Sequence, residues 1–327
     1  MEPRIDASLR LPALDGFELA ATLYEPGDPG RDGGDVVLIN SATAVRRGYY
    51  DAYARYLAGE GLTVLTYDYR GIGGSRPRSL RGFRAHMREW GERDLAGILE
   101  WTAGHLRPKR LFVVGHSVGG QIVGLAENNW RIHGLVFVAC QSGWWGHWPV
   151  PARWRIALNW FVLIPLTSRL YGYLPGRFGT KEDLPDGVAR EWARWGRRPQ
   201  YLLEPGRREG FARACRPLLA YSLADDPYAP RPAVEALLDL YTEADIHHRH
   251  VTPKDIGIDE IGHFGFFRER FRDTLWKDTA AWLASPPQPL QYLNLSGVVD
   301  VVERHAGDEV VQPGFAAGRD LVEGLVG

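Results

Sequence analysis

Cysteine is almost absent from this sequence: two residues, Cys140 and Cys215, occur among 327. Two cysteines cannot form the disulfide framework of a secreted domain, so a reducing compartment is predicted. The sequence also lacks an excess of either charge, because 39 Lys and Arg side chains are balanced by 40 Asp and Glu side chains. A formal net charge of −1 provides no basic surface for nucleic acid, and we predict no nucleic-acid partner.

Long hydrophobic runs are missing as well. The most apolar window, residues 156–166, is about half as long as a helix that spans a bilayer. Residues 1–6 lack the basic and apolar regions of a signal peptide. These features predict a cytoplasmic protein without stable membrane insertion. The alternative for residues 156–166 is a segment that lies in a membrane interface.

A convincing metal-binding pattern is also absent from the sequence. His248 and His250 would share one face of a strand, but no Cys cluster or H-E-x-x-H motif accompanies them. Cys140 directly follows an apolar stretch, which favours a small core residue over a reactive thiol. We therefore predict no metal and no other cofactor.

What the sequence does contain is a regular alternation of apolar, β-branched stretches with helical patterns. Residues 9–26 alternate around Asp15 and Gly16 and predict an opening antiparallel pair. Strands are predicted at residues 36–39, 62–67, 111–114, 134–139, 217–223 and 247–251, and helices at 50–59, 92–102, 232–241 and 273–284. This alternation predicts an α/β fold with a doubly wound, mostly parallel sheet.

One region, residues 143–212, interrupts this alternation. It holds seven of the twelve tryptophans, interleaved with prolines and arginines, and predicts a helical, Trp-rich cap. The core is therefore predicted at residues 1–142 and 213–285, with a tail at 286–327 to which no role is assigned. Because ligand sites are mostly apolar concavities, the cap is expected to cover an apolar acyl pocket. Its candidate lining residues are Trp144, Trp145, Trp148 and Trp160.

The most informative motif is G-x-S-x-G at residues 115–119, between a predicted strand and a predicted helix. A serine on a sharp strand-to-helix turn presents its hydroxyl next to the backbone N–H of the following residue. Small neighbours are needed because a side chain at Gly115 or Gly119 would collide with the turn. Ser117 is therefore a candidate nucleophile.

A serine hydroxyl is a weak nucleophile and requires a base that a third group orients. His263 lies on a glycine-flanked loop before the last predicted helix. Asp225 and Asp226 directly follow a predicted buried strand, so either carboxylate could serve as the acid. Loops beyond the carboxyl ends of parallel strands share one crevice, which lets Ser117 meet these groups. The spacing to Pro230 favours Asp226.

The order of four motifs resembles that of the α/β-hydrolase superfamily. Residues 68–75, D-Y-R-G-I-G-G-S, are similar to the D-x-R-G-x-G-x-S loop after the superfamily's fourth strand. Residues 115–119 resemble its nucleophile elbow, 226–230 its D-x-x-x-P acid loop and 262–264 its terminal G-H-F loop. The similarity is strongest to bacterial α/β hydrolases related to serine aminopeptidases, a group without a settled substrate.

The resemblance implies a Ser117, Asp226 and His263 triad, with an oxyanion hole formed by the backbone N–H groups of Val118 and Ala42. The sequence departs from the superfamily in this last element. Residues 40–44 read N-S-A-T-A where the loop normally begins His-Gly. Backbone donors do not depend on the side chain, so the hole survives this change. Thr43 is the alternative donor if the register differs.

These inferences predict a serine hydrolase that cleaves a carboxylic ester, with thioesters and small amides as further substrates. The expected partner is a small, apolar acyl compound. An acyltransferase with the same triad and a non-catalytic binding protein on this fold are the alternatives. The sequence assigns neither the natural substrate nor the oligomeric state.

Overall fold

A nine-stranded sheet forms the centre of the described part of the chain. The computed structural model describes residues 2–28, 34–204, 207–214 and 216–287. The strands of the sheet are β1 (Arg4–Asp6), β2 (Arg10–Pro12), β3 (Glu18–Glu25), β4 (Asp35–Asn40), β5 (Thr63–Tyr67), β6 (Arg110–His116), β7 (Gly134–Val138), β10 (Leu218–Leu223) and β11 (Ile246–Val251). A separate pair consists of β8 (Tyr173–Leu174) and β9 (Leu184–Pro185).

Most of the sheet is parallel, in the order β5-β4-β6-β7-β10-β11. Strands β4 and β10 are buried along their whole length. Burial of this kind is typical of parallel strands that are covered on both faces. The predicted α/β fold class with a mostly parallel sheet is confirmed.

The antiparallel part lies at one edge, where β3 pairs with β1, β2 and β5. The β2–β3 hairpin places Arg10 opposite Ala20. Its connection contains Gly16 at φ +80°, a left-handed conformation that glycine adopts without a Cβ penalty. The predicted opening antiparallel pair is therefore present in the structure.

Helices connect the parallel strands. The described helices are α1 (Asp51–Gly59), α2 (Ala96–His105), α3 (Val118–Gln121), α4 (Ala152–Leu158), α5 (Ile164–Tyr171), α6 (Asp186–Gly196), α7 (Arg208–Arg213), α8 (Arg231–Leu238), α9 (Gly262–Gly265) and α10 (Lys277–Ala284). The helix predicted at 92–102 begins earlier, with a π-helical segment at Trp90–Leu95. Across the described residues, every helix is too short or too polar to cross a bilayer.

The chain between β7 and β10 contains α4 to α7 and the small β8–β9 pair. Helices α4 and α5 are joined by a π-helical turn, Asn159–Leu163, into one helical run. These elements belong to the same compact unit as the sheet, a unit that ends at Pro287. The predicted tail lies outside the described residues from residue 288 onward.

The loop after β5 is held by ion pairs. Arg70 Nε lies 2.7 Å from Asp94 Oδ1, and Arg70 Nη1 lies 2.8 Å from Asp15 Oδ2. Asp68 pairs with Arg47. These charged side chains fix the loop against neighbouring elements, which accounts for the D-Y-R motif without a chemical role.

The carboxyl ends of β4, β6, β7 and β10 lie along one edge of the sheet, because these strands are parallel neighbours. Asn40, at the end of β4, is in register with Gly115 near the end of β6. The loops that carry the candidate nucleophile and acid begin at this edge. The topology therefore places the starts of these loops along one edge of the sheet.

Candidate active site

Ser117 lies in the sharp turn between β6 and α3. Its backbone has φ +55° and ψ −115°, a conformation that costs energy for a residue with a Cβ. Its N–H donates to Val138 O at 3.0 Å, which ties the turn to the adjacent strand β7. This strained strand-to-helix turn is the geometry of a nucleophile elbow.

Three glycines allow the elbow to pack this tightly. A Cβ added at Gly119 would lie 2.3 Å from Asn40 O, and one at Gly115 would lie 2.6 Å from Gly120 N. A Cβ at Gly120 would lie 2.6 Å from Cys140 Sγ. Real side chains do not approach so closely. Gly119 is therefore required by contact with β4, Gly120 by contact with Cys140, and Gly115 by the close return of the elbow on itself.

The acid and the histidine are in direct contact. Asp226 Oδ2 lies 2.7 Å from His263 Nδ1, and both side chains are buried. The other carboxylate oxygen, Oδ1, accepts the backbone N–H groups of Tyr228 at 2.7 Å and Ala229 at 3.0 Å. The carboxylate is therefore held by backbone N–H groups of its own loop while its other oxygen faces the imidazole.

The neighbouring carboxylate, Asp225, has a different position. Its Oδ2 accepts the backbone N–H groups of Ile261 at 2.7 Å and Gly262 at 3.0 Å. Gly262 has φ +62°, so the chain turns sharply immediately before His263. Asp225 thus anchors the histidine loop, and Asp226 contacts the histidine side chain.

A hydrogen-bonded chain behind the elbow connects three loops. The Ala42 N–H donates to Tyr50 Oη at 2.8 Å, and Tyr50 Oη lies 2.9 Å from His116 Nδ1. His116 Nε2 lies 2.9 Å from the backbone oxygen of His263. Because a carbonyl oxygen only accepts, Nε2 carries the hydrogen and Nδ1 accepts the Tyr50 hydroxyl.

His116 is neutral within this series of hydrogen bonds. Burial lowers the pKa of its imidazole well below the usual value, and the charge of Lys181 adds to the effect. The ring of His116 lies with its centre 5.1 Å from that of His263. His116 therefore supports the histidine loop from the back of the elbow, next to Ser117 in the chain.

The backbone N–H groups predicted to form the oxyanion hole differ in whether they are already paired. The Ala42 N–H, one predicted donor, is already paired with Tyr50 in the structure. Val118 begins α3, and the first N–H groups of a helix have no partner within the helix. Thr43 follows Ala42 in a tight turn closed by a 3.2 Å hydrogen bond from Val45 N–H to Ala42 O.

Comparison with known proteins supports the fold. A family model described as serine aminopeptidase, S33, matches residues 35–191. These residues are just under half of the chain and are similar to that family, and the sheet with its flanking helices has the fold of the α/β hydrolases. No curated protein was found to match this chain.

Solved structures show the same fold at low sequence identity. Est1E from Butyrivibrio proteoclasticus, determined with ferulic acid, is 14% identical over 85% of this chain and 98% of its own, with a TM-score of 0.57. An esterase from Exiguobacterium antarcticum is 15% identical over 85% and 100%, with a TM-score of 0.56. The esterase Pf2001 from Pyrococcus furiosus is 15% identical over 86% and 93%, with a TM-score of 0.51.

Two of the four tryptophans predicted to line the pocket are buried in the structure. Trp160 Nε1 donates to Gly143 O at 3.0 Å, and its ring packs edge-on against Trp192 with centres 4.7 Å apart. Trp148 Nε1 donates to Pro227 O at 2.9 Å. Trp160 therefore packs inside the helical segment, whereas Trp148 contacts the loop that carries Asp226.

The other two tryptophans, Trp144 and Trp145, are partly buried. Trp145 packs against Trp154 and Phe161 of the helical run, with ring centres 5.7 Å and 6.4 Å apart. Trp144 packs against Trp145 and His147. Of the four predicted pocket residues, Trp148 is thus the one that the structure places in direct contact with the acid loop.

Sequence reasoning missed a cavity of about 480 Å³ between the loop after β4 and the chain after α5. Its lining includes Val45, Tyr49, Lys181 and Glu182. Lys181 Nζ lies 4.4 Å from the ring centre of Phe264, the residue after His263. Nothing in the local sequence marks Lys181, because its proximity to the site arises from the return of the chain after α5.

The histidines considered as metal ligands and the cysteine considered as a reactive thiol have other contacts. His248 Nε2 and His250 Nδ1 both lie 2.8 Å from Ser222 Oγ. Over the ranges that the structure describes, no cluster of three or more His, Cys, Asp or Glu side chains could hold a metal. Burial raises the pKa of the Cys140 thiol, which packs against Gly120. Cys215 lies outside the described residues.

Proposed function

We propose that this protein is a serine hydrolase that cleaves a carboxylic ester through Ser117, His263 and Asp226. The observation that carries the proposal is the 2.7 Å contact between Asp226 and His263, beside a strained elbow that presents Ser117. The names of the similar structures, two of them esterases, support an ester as the substrate.

In the proposed reaction, His263 Nε2 takes the proton of the Ser117 hydroxyl as Oγ attacks the ester carbonyl. Asp226 keeps the proton of His263 on Nδ1 and stabilises the imidazolium. Collapse of the tetrahedral intermediate breaks the ester C–O bond, and His263 returns the proton to the leaving alcohol. Water, deprotonated by His263, then attacks the acyl-enzyme and releases the acid and Ser117.

The negative oxygen of the intermediate requires two hydrogen-bond donors. Val118 N–H is the first proposed donor, since it opens α3 directly after the nucleophile. Because Ala42 N–H is paired with Tyr50, the alternative donor Thr43 is favoured for the second position. Ala42 remains the donor if Tyr50 Oη moves away when substrate binds.

We further propose that residues 143–212 act as a cap over this site and form part of an apolar acyl pocket. The support is the contact of Trp148 with Pro227, which joins the segment to the acid loop. A preference for octanoyl over acetyl esters is expected of such a pocket, and the reverse preference would contradict it.

Turnover of short-chain p-nitrophenyl esters and labelling by a fluorophosphonate test the reaction. Ser117→Ala should abolish labelling and lower kcat by about 10⁴-fold or more, the scale known for triad nucleophiles in other enzymes. Ser168→Ala is the matched control, because Ser168 is a buried serine whose hydroxyl has no partner among the described residues. Equal turnover by wild type and Ser117→Ala would refute the proposal.

A further inference from the structure

Residues 143–181 have an unusual charge pattern. They contain no Asp or Glu, although the whole sequence has 40, and they carry five cationic side chains. These are Arg153, Arg155, Arg169, Arg177 and Lys181. None of the five has a carboxylate within ion-pair distance among the described residues, whereas most arginines elsewhere in that part of the chain do.

The helical run from Ala152 to Tyr171 is apolar on two faces. The inner face, with Ala157, Trp160 and Ser168, is buried against the protein. The opposite face carries a row of side chains spaced four residues apart, and all of them are 45% to 70% exposed. This apolar ridge consists of Trp154, Leu158, Val162, Leu166 and Leu170.

The ridge accounts for much of the apolar surface of the described residues. Phe161 and Leu163 flank it and are also about half exposed. Together they make seven of the twelve large apolar side chains that are exposed in that part of the chain. A helix that is hydrophobic all round is normally buried, and a contiguous apolar patch on a protein surface marks an interaction site.

We propose that the apolar ridge and its flanking arginines bind the surface of an anionic phospholipid bilayer. Amphipathic helices that lie in an interface bury Trp, Phe and Leu below the headgroups and keep Arg at the headgroup level. Arg155 and Arg169 are exposed on the same helical run as the ridge. An apolar helix face with exposed arginines, in a segment that contains no acidic residue, has the charge complementary to anionic lipid.

The same charge pattern argues against a second copy of the chain as the occupant. A two-fold interface places the same patch on both partners. Arg155 and Arg169, which are exposed on this run, would then share one interface with the same two arginines of the other copy, and like charges across an interface are unfavourable. A bilayer containing phosphatidylglycerol supplies the opposite charge and an apolar interior in one surface.

Flotation of the full chain with vesicles tests the proposal. We expect wild type to float with vesicles of phosphatidylcholine and phosphatidylglycerol, and to float less as salt is added, because salt screens the arginines. The double variant Leu158→Ser and Leu166→Ser should bind at least about tenfold more weakly, since two apolar side chains no longer enter the bilayer.

Two further variants separate the apolar and the charged contributions. The double variant Arg155→Ala and Arg169→Ala should lose about fivefold in affinity per arginine for the anionic vesicles. It should not differ from wild type on phosphatidylcholine alone. Leu14→Ser is the matched control, because Leu14 is 55% exposed but lies in the turn before β3. It should float as wild type does.

The flotation and sedimentation results decide whether the ridge binds a bilayer. Failure of wild type to float with anionic vesicles would overturn the proposal, as would equal flotation of the Leu158→Ser and Leu166→Ser double variant. Far-UV circular dichroism and thermal unfolding of each variant establish that it is folded. Sedimentation velocity without vesicles measures self-association. If wild type is a dimer and the Leu158→Ser and Leu166→Ser double variant is a monomer, the ridge is the interface with a second copy. This result would also overturn the proposal.

Discussion

The carboxyl edge of the sheet and the helical run of residues 152–171 differ in whether their side chains have partners. At the sheet edge, buried polar side chains are paired with one another, as Asp226 is with His263 and Tyr50 with His116. Along the helical run, apolar side chains such as Leu166 remain exposed. Within the described residues, these polar side chains of the first region have partners, whereas the apolar side chains of the second are left exposed.

The largest expected effect separates the two carboxylates at the sheet edge. Asp226→Asn should lower kcat by about 10⁴-fold, because the amide no longer holds the correct tautomer of His263, the proposed base. Asp225→Asn should cost far less, since Asp225 bonds to the backbone of Ile261 and Gly262. Both are measured with a p-nitrophenyl ester. A greater loss from Asp225→Asn would reverse the assignment.

The next effect contrasts the two faces of the helical run. Trp160→Ala should lower the free energy of unfolding by about 3–5 kcal/mol, because a buried indole packed against Gly196 is lost. Leu166→Ala, on the exposed face, should change it by less than about 0.5 kcal/mol. Urea denaturation of both variants measures the difference. Similar losses would mean that the ridge is covered in solution.

A smaller effect tests the hydrogen-bonded chain behind the elbow. Tyr50→Phe should lower the free energy of unfolding by about 1–3 kcal/mol, because the Ala42 N–H and His116 Nδ1 lose their buried partner. Tyr53→Phe is the matched control, since Tyr53 is fully buried but its hydroxyl has no partner in the described structure. Equal losses of unfolding free energy in Tyr50→Phe and Tyr53→Phe would contradict a stabilising role for this series of hydrogen bonds.

The smallest effect concerns pH. Burial lowers the pKa of His116, so the folded protein keeps this imidazole neutral while the unfolded chain takes up a proton below about pH 6.5. The unfolded state then binds more protons, and stability falls as the pH falls, by up to about 1.4 kcal/mol per pH unit. His133, His147 and His248, whose pKa values burial also lowers, act in the same direction.

The variant His116→Asn isolates the contribution of this one group. Urea denaturation across the acid range should give a shallower pH dependence for His116→Asn than for wild type, whatever its stability at neutral pH. Parallel curves for the two proteins would show that His116 is not held neutral by burial.

Much of the fold could be predicted because its signals are local. A buried parallel strand such as β4 contains an unbroken apolar run, and the elbow is marked by Gly115 and Gly119 on either side of Ser117. The choice between Asp225 and Asp226 could not be made in this way with certainty. Adjacent side chains on a loop point in different directions, and only the packing of the histidine loop shows which one reaches His263.

The pairing of Ala42 with Tyr50 was likewise invisible in the sequence, because it depends on how the turn before α1 packs behind β6. Tyr50 carries no motif that marks it in the sequence. The same limit applies to Lys181, which lies against Phe264 although 83 positions separate them in the printed numbering. Contacts of this kind join segments whose relative placement the sheet determines.

By itself, the sequence determined the α/β architecture, the order of the four motifs and the charge pattern of residues 143–181, since these follow from local periodicity and composition. The tertiary structure alone decided which carboxylate faces His263, which N–H groups are already paired, and which face of the helical run is exposed. The reason is physical: a residue's hydrogen bonds and burial depend on neighbours that are distant in the chain. The partner of an apolar surface can be inferred once the structure shows that the surface is uncovered.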